Sequence, residues 1–207
     1  MKRFDEAFRT KLYDTIRDIE DNSLVEIVVL IKPQSGSYRD ISSLSAAIFS
    51  FLLYTFFMFS PFEFDVFLIY VFTVLGFLGV YFLFRSLPKL ERNFIPRARK
   101  DKSVELYARA LFQKGGIRFT NSRIGTLIYF SLLERKVYIL PDRGVETSVP
   151  ADEWTNLNEK FQAVFSAPDV PQAILNALIE CKPVFNKYIP PIENDINELP
   201  DDLNVDL

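Results

Sequence analysis

Apolar positions along this chain follow three patterns, and each predicts a different kind of element. Phe4, Phe8, Leu12, Ile16 and Ile19 recur at helical spacing with charges between them, so an amphipathic helix is expected over residues 3–21. Residues 24–31 form a short β-rich run, Leu-Val-Glu-Ile-Val-Val-Leu-Ile, closed by Pro33 and followed by the loop Gln34-Ser35-Gly36-Ser37. From Ile41 to Phe62, and again from Val66 to Phe84, no charged residue occurs. As helices these two segments would reach roughly 33 Å and 28 Å, close to the ~30 Å hydrocarbon thickness of a bilayer. Pro61, Glu63 and Asp65 lie in the short break between them, so the pattern predicts an antiparallel transmembrane hairpin over residues 41–84. Gly76 and Gly79 on its second helix are candidates for close helix contact.

The periodicity returns to that of a soluble domain after the hairpin. Residues 103–114 read as a helix with Leu106, Ala110 and Leu111 inward, stopped by Gly115-Gly116. Gly125 to Leu133 reads as a strand, Glu134-Arg135 as a tight connection and Lys136 to Leu140 as its partner strand. Pro141-Asp142-Arg143-Gly144 turns out of the hairpin, and helices follow over about 151–165 and 169–188, the last expected to kink or split at Pro183. The run 24–31 buries its faces only by pairing with strands more than 90 residues later. The fold class is therefore α/β: a small β-sheet flanked by helices in a sandwich, with the hairpin inserted after the first strand. The expected organisation is a discontinuous domain of residues 1–40 and 86–192, the hairpin 41–84, and an acidic C-terminal tail, 193–207, read as extended. Met1–Asp21 is densely charged, so no cleavable leader is expected there.

Charge sets the orientation. No Lys or Arg lies between Arg39 and Arg85, whereas Arg85, Lys89, Arg92, Arg97, Arg99 and Lys100 follow the hairpin directly. The positive-inside rule puts that stretch and both termini in the cytoplasm, the acidic turn on the other side, and the lipid bilayer among the partners.

Composition removes whole classes of chemistry. The chain of 207 residues contains no histidine, which excludes histidine bases, histidine metal ligands and Ser-His-Asp or Cys-His catalysis. Its one cysteine, Cys181, cannot form an intrachain disulfide or a zinc site and is expected as a small buried residue. Most of the excess of its 21 Phe lies between Phe49 and Phe84, so the aromatics report the hairpin and no nucleic-acid surface. No glycine loop to cradle phosphate is present. The remaining candidates are carboxylates. Glu134 and Asp142 bracket the second hairpin strand, with Arg135 and Arg143 beside them. At the two ends of one strand they would be about 25 Å apart, too far to share an ion, and both pairs are expected as solvated turn residues. Trp154 is expected as a core anchor, and Glu26 in a structural setting within its strand.

Two stretches resemble the TPM domain family. Residues 19–29, Ile-Glu-Asp-Asn-Ser-Leu-Val-Glu-Ile-Val-Val, look like its opening helix and strand, and residues 123–145, from Arg123-Ile124-Gly125 through Pro141-Asp142-Arg143-Gly144-Val145, are similar to its paired strands. Trp154 after Asp152-Glu153, and Asn197-Glu198-Leu199-Pro200, look like the family's membrane-inserted bacterial branch. Leu24-Val25 stands where small residues are usual, and Glu134 where many members carry Asp. The resemblance implies a domain at a membrane surface, in a bacterial cytoplasmic membrane, whose relatives range from acid phosphatase activity to the maintenance or modulation of other membrane proteins. The expected role is a non-enzymatic interaction or assembly module for other membrane proteins. The alternative is a metal-dependent acid phosphatase acting on phosphate esters, with Asp142 as ligand of Ca2+ or Mg2+ and Arg143 and Arg135 binding the anion. The oligomeric state stays open.

Overall fold

Strand alternation fixes how the domain is layered. The structure, a computed structural model, describes residues 4–117, 120 and 123–192; the acidic segment 193–207, with Asn197-Glu198-Leu199-Pro200, lies outside the described residues. Strand β1 (Glu26–Lys32) pairs in parallel with β2 (Gly125–Ser131), and β2 pairs antiparallel with β3 (Lys136–Pro141), giving a three-stranded mixed sheet in the order β1-β2-β3. Glu26 lies opposite Gly125, so the long-range pairing read from the sequence is formed. Side chains alternate between faces. Ile27, Val29, Ile31, Ile128 and Phe130 enter one core, and Val28, Leu30, Leu127 and Tyr129 the other.

The first core is closed by α1 (Glu6–Glu20), α6 (Arg143–Ser148), α7 (Ala151–Ala163) and α8 (Val170–Tyr188), through Phe8, Leu12, Val145, Leu157, Phe161, Ile174 and Phe185. Asp5 caps α1 by accepting from the Phe8 N–H at 2.9 Å, and Asp169 caps α8. Trp154 packs against this core with its ring 6.3 Å from that of Phe185. Cys181 is fully buried in it, and Glu26 is buried at the start of β1.

The second core is closed by α5 (Arg97–Lys114), with a correction to the expected face. Val104, Ala108 and Phe112 point inward and Leu111 packs beside them, while Leu106 is 58% exposed and Ala110 is also exposed. The 104–108–112 stripe is the i, i+4, i+8 face that meets Leu127 and Tyr129, and Leu106 lies off it. Beyond Gly116 (φ 71°) the chain returns so closely to β2 that a Cβ on Gly125 would stand 2.4 Å from the Ile117 carbonyl oxygen.

Helix α8 corrects a second expectation: it runs unbroken through Pro183. Proline removes the donor to the carbonyl of Ile179, but Ile179 and Pro183 lie on the exposed face, where a freed carbonyl costs little. Leu178, Cys181 and Phe185 hold the opposite face in the core.

Residues 36–101 form a separate unit. It contains α2 (Arg39–Phe59), α3 (Val66–Ser86), the short helix α4 (Pro88–Phe94) and the first turn of α5. Helix α4 and helix α6 had no counterpart in the sequence pattern; both are short, and α6 begins within the Pro141-Asp142-Arg143-Gly144 turn.

Candidate functional site

Helices α2 and α3 each have 21 residues and are long and apolar enough to cross a membrane. They pack on each other through a narrow seam. Ser42, Ala46 and Ser50 are the buried residues of α2, and the Ser50 hydroxyl donates to the Thr73 carbonyl across 3.3 Å. Gly76 sits where α2 comes nearest, since a Cβ there would meet Leu53 Cδ2 at 2.9 Å and Phe49 Cε1 at 3.3 Å; Gly79 has open space. Of the two glycines, only Gly76 serves close approach. At the turn Asp65 caps α3 by accepting from Phe67 N–H at 2.8 Å, and Phe57 packs edge-on to Phe64. Everything away from the seam faces outward. None of the most apolar window of α3 is buried, and Phe51, Phe56, Phe59, Phe67 and Phe82 are exposed.

The basic flank begins where the hairpin ends. Arg85 lies in the last turn of α3, Lys89 and Arg92 on α4, and Arg97, Arg99 and Lys100 in the opening turns of α5. Arg99 is committed internally. It pairs with both oxygens of Asp40, donates to the Ser37 carbonyl at 3.1 Å and stacks over Tyr38. Its hydrogen bond to the Asp40 carboxylate raises its pKa further above the ordinary arginine value. Lys100 donates to the Arg92 carbonyl at 3.3 Å. Glu91 is buried, and its Oε1 accepts the Ser42 hydroxyl at 3.0 Å, which fastens α4 to α2.

The carboxylate and arginine candidates do not converge. Arg135 is exposed in the turn between β2 and β3 at φ 52°, where its carbonyl accepts from Gln162 Nε2 at 2.8 Å. Asp142 and Arg143 stand beyond the other end of β3, and Arg143 is exposed at the start of α6. Asp142 is the helix cap: its Oδ1 accepts the Arg143 N–H at 2.7 Å, while its own N–H donates to the Gly125 carbonyl at 2.7 Å. Its Oδ2 is buried and without a hydrogen-bond partner. A hard cation takes six or more oxygens, which protein groups and waters share. Among the described residues no group of three or more His, Cys, Asp or Glu side chains is placed to hold a metal ion.

Glu134 is not the solvated turn residue expected from its sequence context. It is 3% exposed and forms the centre of a buried polar network. Its Oε1 accepts the Ser35 N–H at 3.0 Å and its Oε2 the Ser131 hydroxyl at 2.5 Å. The Ser35 hydroxyl lies 2.6 Å from Ser131 Oγ and 2.8 Å from the Tyr129 hydroxyl. The only sequence signals were the alternation of Tyr129 and Ser131 on one strand face and the polar Ser35 just past β1; their meeting depends on the β1–β2 register.

Residues 93–182 match the model of the TPM domain. In that stretch the chain is similar to the TPM domain family. The matched stretch holds α5, the β2–β3 hairpin, α6, α7 and most of α8, and leaves out α1 and β1. A solved structure of similar fold is the NMR structure of the BA42 protein from the psychrophilic bacterium Bizionia argentinensis. It is 20% identical with a TM-score of 0.56, over 97% of this chain and 97% of that one. At that identity the likeness is one of fold. No curated protein matches the chain.

Proposed function

We propose that the α2–α3 hairpin anchors this TPM domain in a lipid bilayer, and that the domain serves there as a non-enzymatic module that binds or helps assemble other membrane proteins. The observation that carries the anchor is the outward apolar surface of the hairpin. A core helix of a soluble domain is mostly buried, whereas α3 buries only Phe84. Exposing contiguous apolar patches of more than a few hundred Å² to water is rare in soluble monomers. Fewer than half of the α2–α3 side chains find partners in the seam, and lipid chains complete the rest. The basic end of the hairpin supports a cytoplasmic placement of both termini, with Glu63 and Asp65 on the opposite side.

The module reading is supported by where the polar groups are spent. Glu134, Ser35, Ser131 and Tyr129 satisfy one another, Asp142 caps α6, and Arg135 holds a turn. Alkaline carbonate extraction of membranes that contain the full chain tests the anchor, with the chain expected in the pellet; recovery in the supernatant overturns it. Crosslinking in those membranes tests the module. A discrete partner is expected, and a chain that crosslinks to nothing under conditions that capture known neighbours overturns it.

A second reading, hydrolysis of phosphate esters, rests on the buried, unpartnered Oδ2 of Asp142. Loss of phosphate-ester turnover in Asp142→Asn would support it, and unchanged turnover removes it.

A further inference from the structure

We infer that the hairpin's basic end is a binding site for anionic phospholipid headgroups, formed by Arg85, Lys89, Arg92 and Arg97 around the exposed apolar residues Leu87 and Phe94. The inference rests on the bilayer anchor proposed above and names the lipid class that the anchor selects.

The structure divides the basic run into two sets. Arg99 and Lys100 are used inside the protein, on Asp40 and on the Arg92 carbonyl. Arg85, Lys89, Arg92 and Arg97 make no ion pair or side-chain hydrogen bond among the described residues; Arg92 is half-buried and the other three are exposed. Acidic groups nearby are already engaged: Asp40 holds Arg99, Glu91 is buried on Ser42, and Asp101, one turn after Arg97, is also engaged. The other carboxylates of the hairpin, Glu63 and Asp65, lie at the far end of helices that are about 30 Å long. The bases at this end outnumber the acids, so its field is net positive.

Helix α4 gives that charge its setting. Leu87 ends α3 with a non-helical backbone (φ −119°, ψ 82°), and Pro88 starts α4 immediately. Glu91 and Ile95 are buried, and the Phe94 ring packs 5.1 Å from Phe84, so α4 is held beside the end of the hairpin. Outward it shows Leu87, 48% exposed, and Phe94, 56% exposed, interleaved with Lys89 and Arg97. Apolar side chains between long cationic ones, at the point where a span leaves the hydrocarbon, match the headgroup–acyl boundary. Lipid phosphates lie at that depth, and arginine and lysine bind phosphate oxygens by charge-assisted hydrogen bonds. A soluble anion would satisfy the cations and leave Leu87 and Phe94 in water.

The test uses the full chain reconstituted in phosphatidylcholine vesicles with trace spin-labelled lipid. The motionally restricted fraction of spin-labelled phosphatidylglycerol is compared with that of spin-labelled phosphatidylcholine. A preference for the anionic lipid of about threefold or more is expected at low salt, shrinking toward unity at about 0.5 M NaCl. Lys89→Gln/Arg97→Gln is expected to reduce it at low salt, and Glu63→Gln at the far turn to leave it unchanged. Equal association of both lipids at low salt overturns the inference, as does a preference that neither salt nor the double variant diminishes. Failure of the anchor reads differently: the chain washes off the vesicles and neither label shows a restricted fraction.

Discussion

Oε1 of Glu134 accepts the backbone N–H of Ser35 across 3.0 Å, joining residues that are 99 apart in the sequence. The contact ties the exit of β1 to the β2–β3 turn just before the chain leaves for the hairpin. Two backbone bonds reinforce it, from Leu132 N–H to the Lys32 carbonyl and from Leu133 N–H to the Pro33 carbonyl. Because Ser131 also donates to this carboxylate, Glu134→Ala takes the acceptor from one buried and one half-buried donor. A loss of about 2–4 kcal/mol is expected in denaturant unfolding. Glu134→Gln keeps one acceptor and the Ser131 hydroxyl rotates to suit, so its loss is expected to be about 1 kcal/mol.

Gly125 is required by the return of the chain, not by its backbone conformation. The Cβ of Gly125→Ala would meet the Ile117 carbonyl oxygen at 2.4 Å and Ile117 Cγ2 at 2.7 Å. Backbone yields less readily than a side-chain tip, so the expected destabilisation is about 2–4 kcal/mol, read from the denaturation midpoint.

The hairpin glycines separate in the same way. At Gly76 the obstacle is Leu53 Cδ2, the end of a flexible side chain, whereas at Gly79 nothing lies within 4 Å. Gly76→Ala is expected to loosen the hairpin by about 1 kcal/mol, and Gly79→Ala to be neutral or slightly stabilising through helix propensity. Unfolding in mixed micelles of the two variants side by side measures the difference.

Tyr129 gives the domain an alkaline limit. Burial pushes its phenol up to about 12, while its hydrogen bonds to Ser35 and Ser131 pull the other way. The folded value lies above the unfolded value near 10, so the contribution is complete below pH 10 and is lost as pH rises through 10 toward 12. Stability is expected to fall by about 2 kcal/mol over that window, beyond the change seen in Tyr129→Phe. Unfolding of the two proteins at pH 9 and pH 11.5 checks it.

What the sequence made legible follows from which interactions are local. The hairpin, the α1 stripe of Phe8, Leu12 and Ile19, and the strand alternation are patterns within a few residues of one another, and all formed. Leu106 was misplaced because two apolar stripes compete on α5 and only the sheet face, through Leu127 and Tyr129, chooses Val104, Ala108 and Phe112. Pro183 was misread because the rule against interior proline assumes that the freed carbonyl is buried, and that of Ile179 lies on an exposed face. Glu134 was misread because a charged residue in a tight connection reads as solvated until its partner Ser35, far away in sequence, is in place. Asp142 was correctly set at a turn, but its use as a helix cap needed the short helix α6, which carries too few residues to show a period.

Single-cysteine accessibility tests the central claim most directly. In a Cys181→Ser background, Glu63→Cys at the hairpin turn and Thr147→Cys on α6 are probed with a membrane-impermeant maleimide in intact bacterial cells that express the full chain; both positions are exposed. The anchor predicts labelling of the turn from outside and labelling of α6 only after permeabilisation. Labelling of both positions, or of neither, before permeabilisation would contradict a hairpin that crosses the membrane with its TPM domain on the basic side.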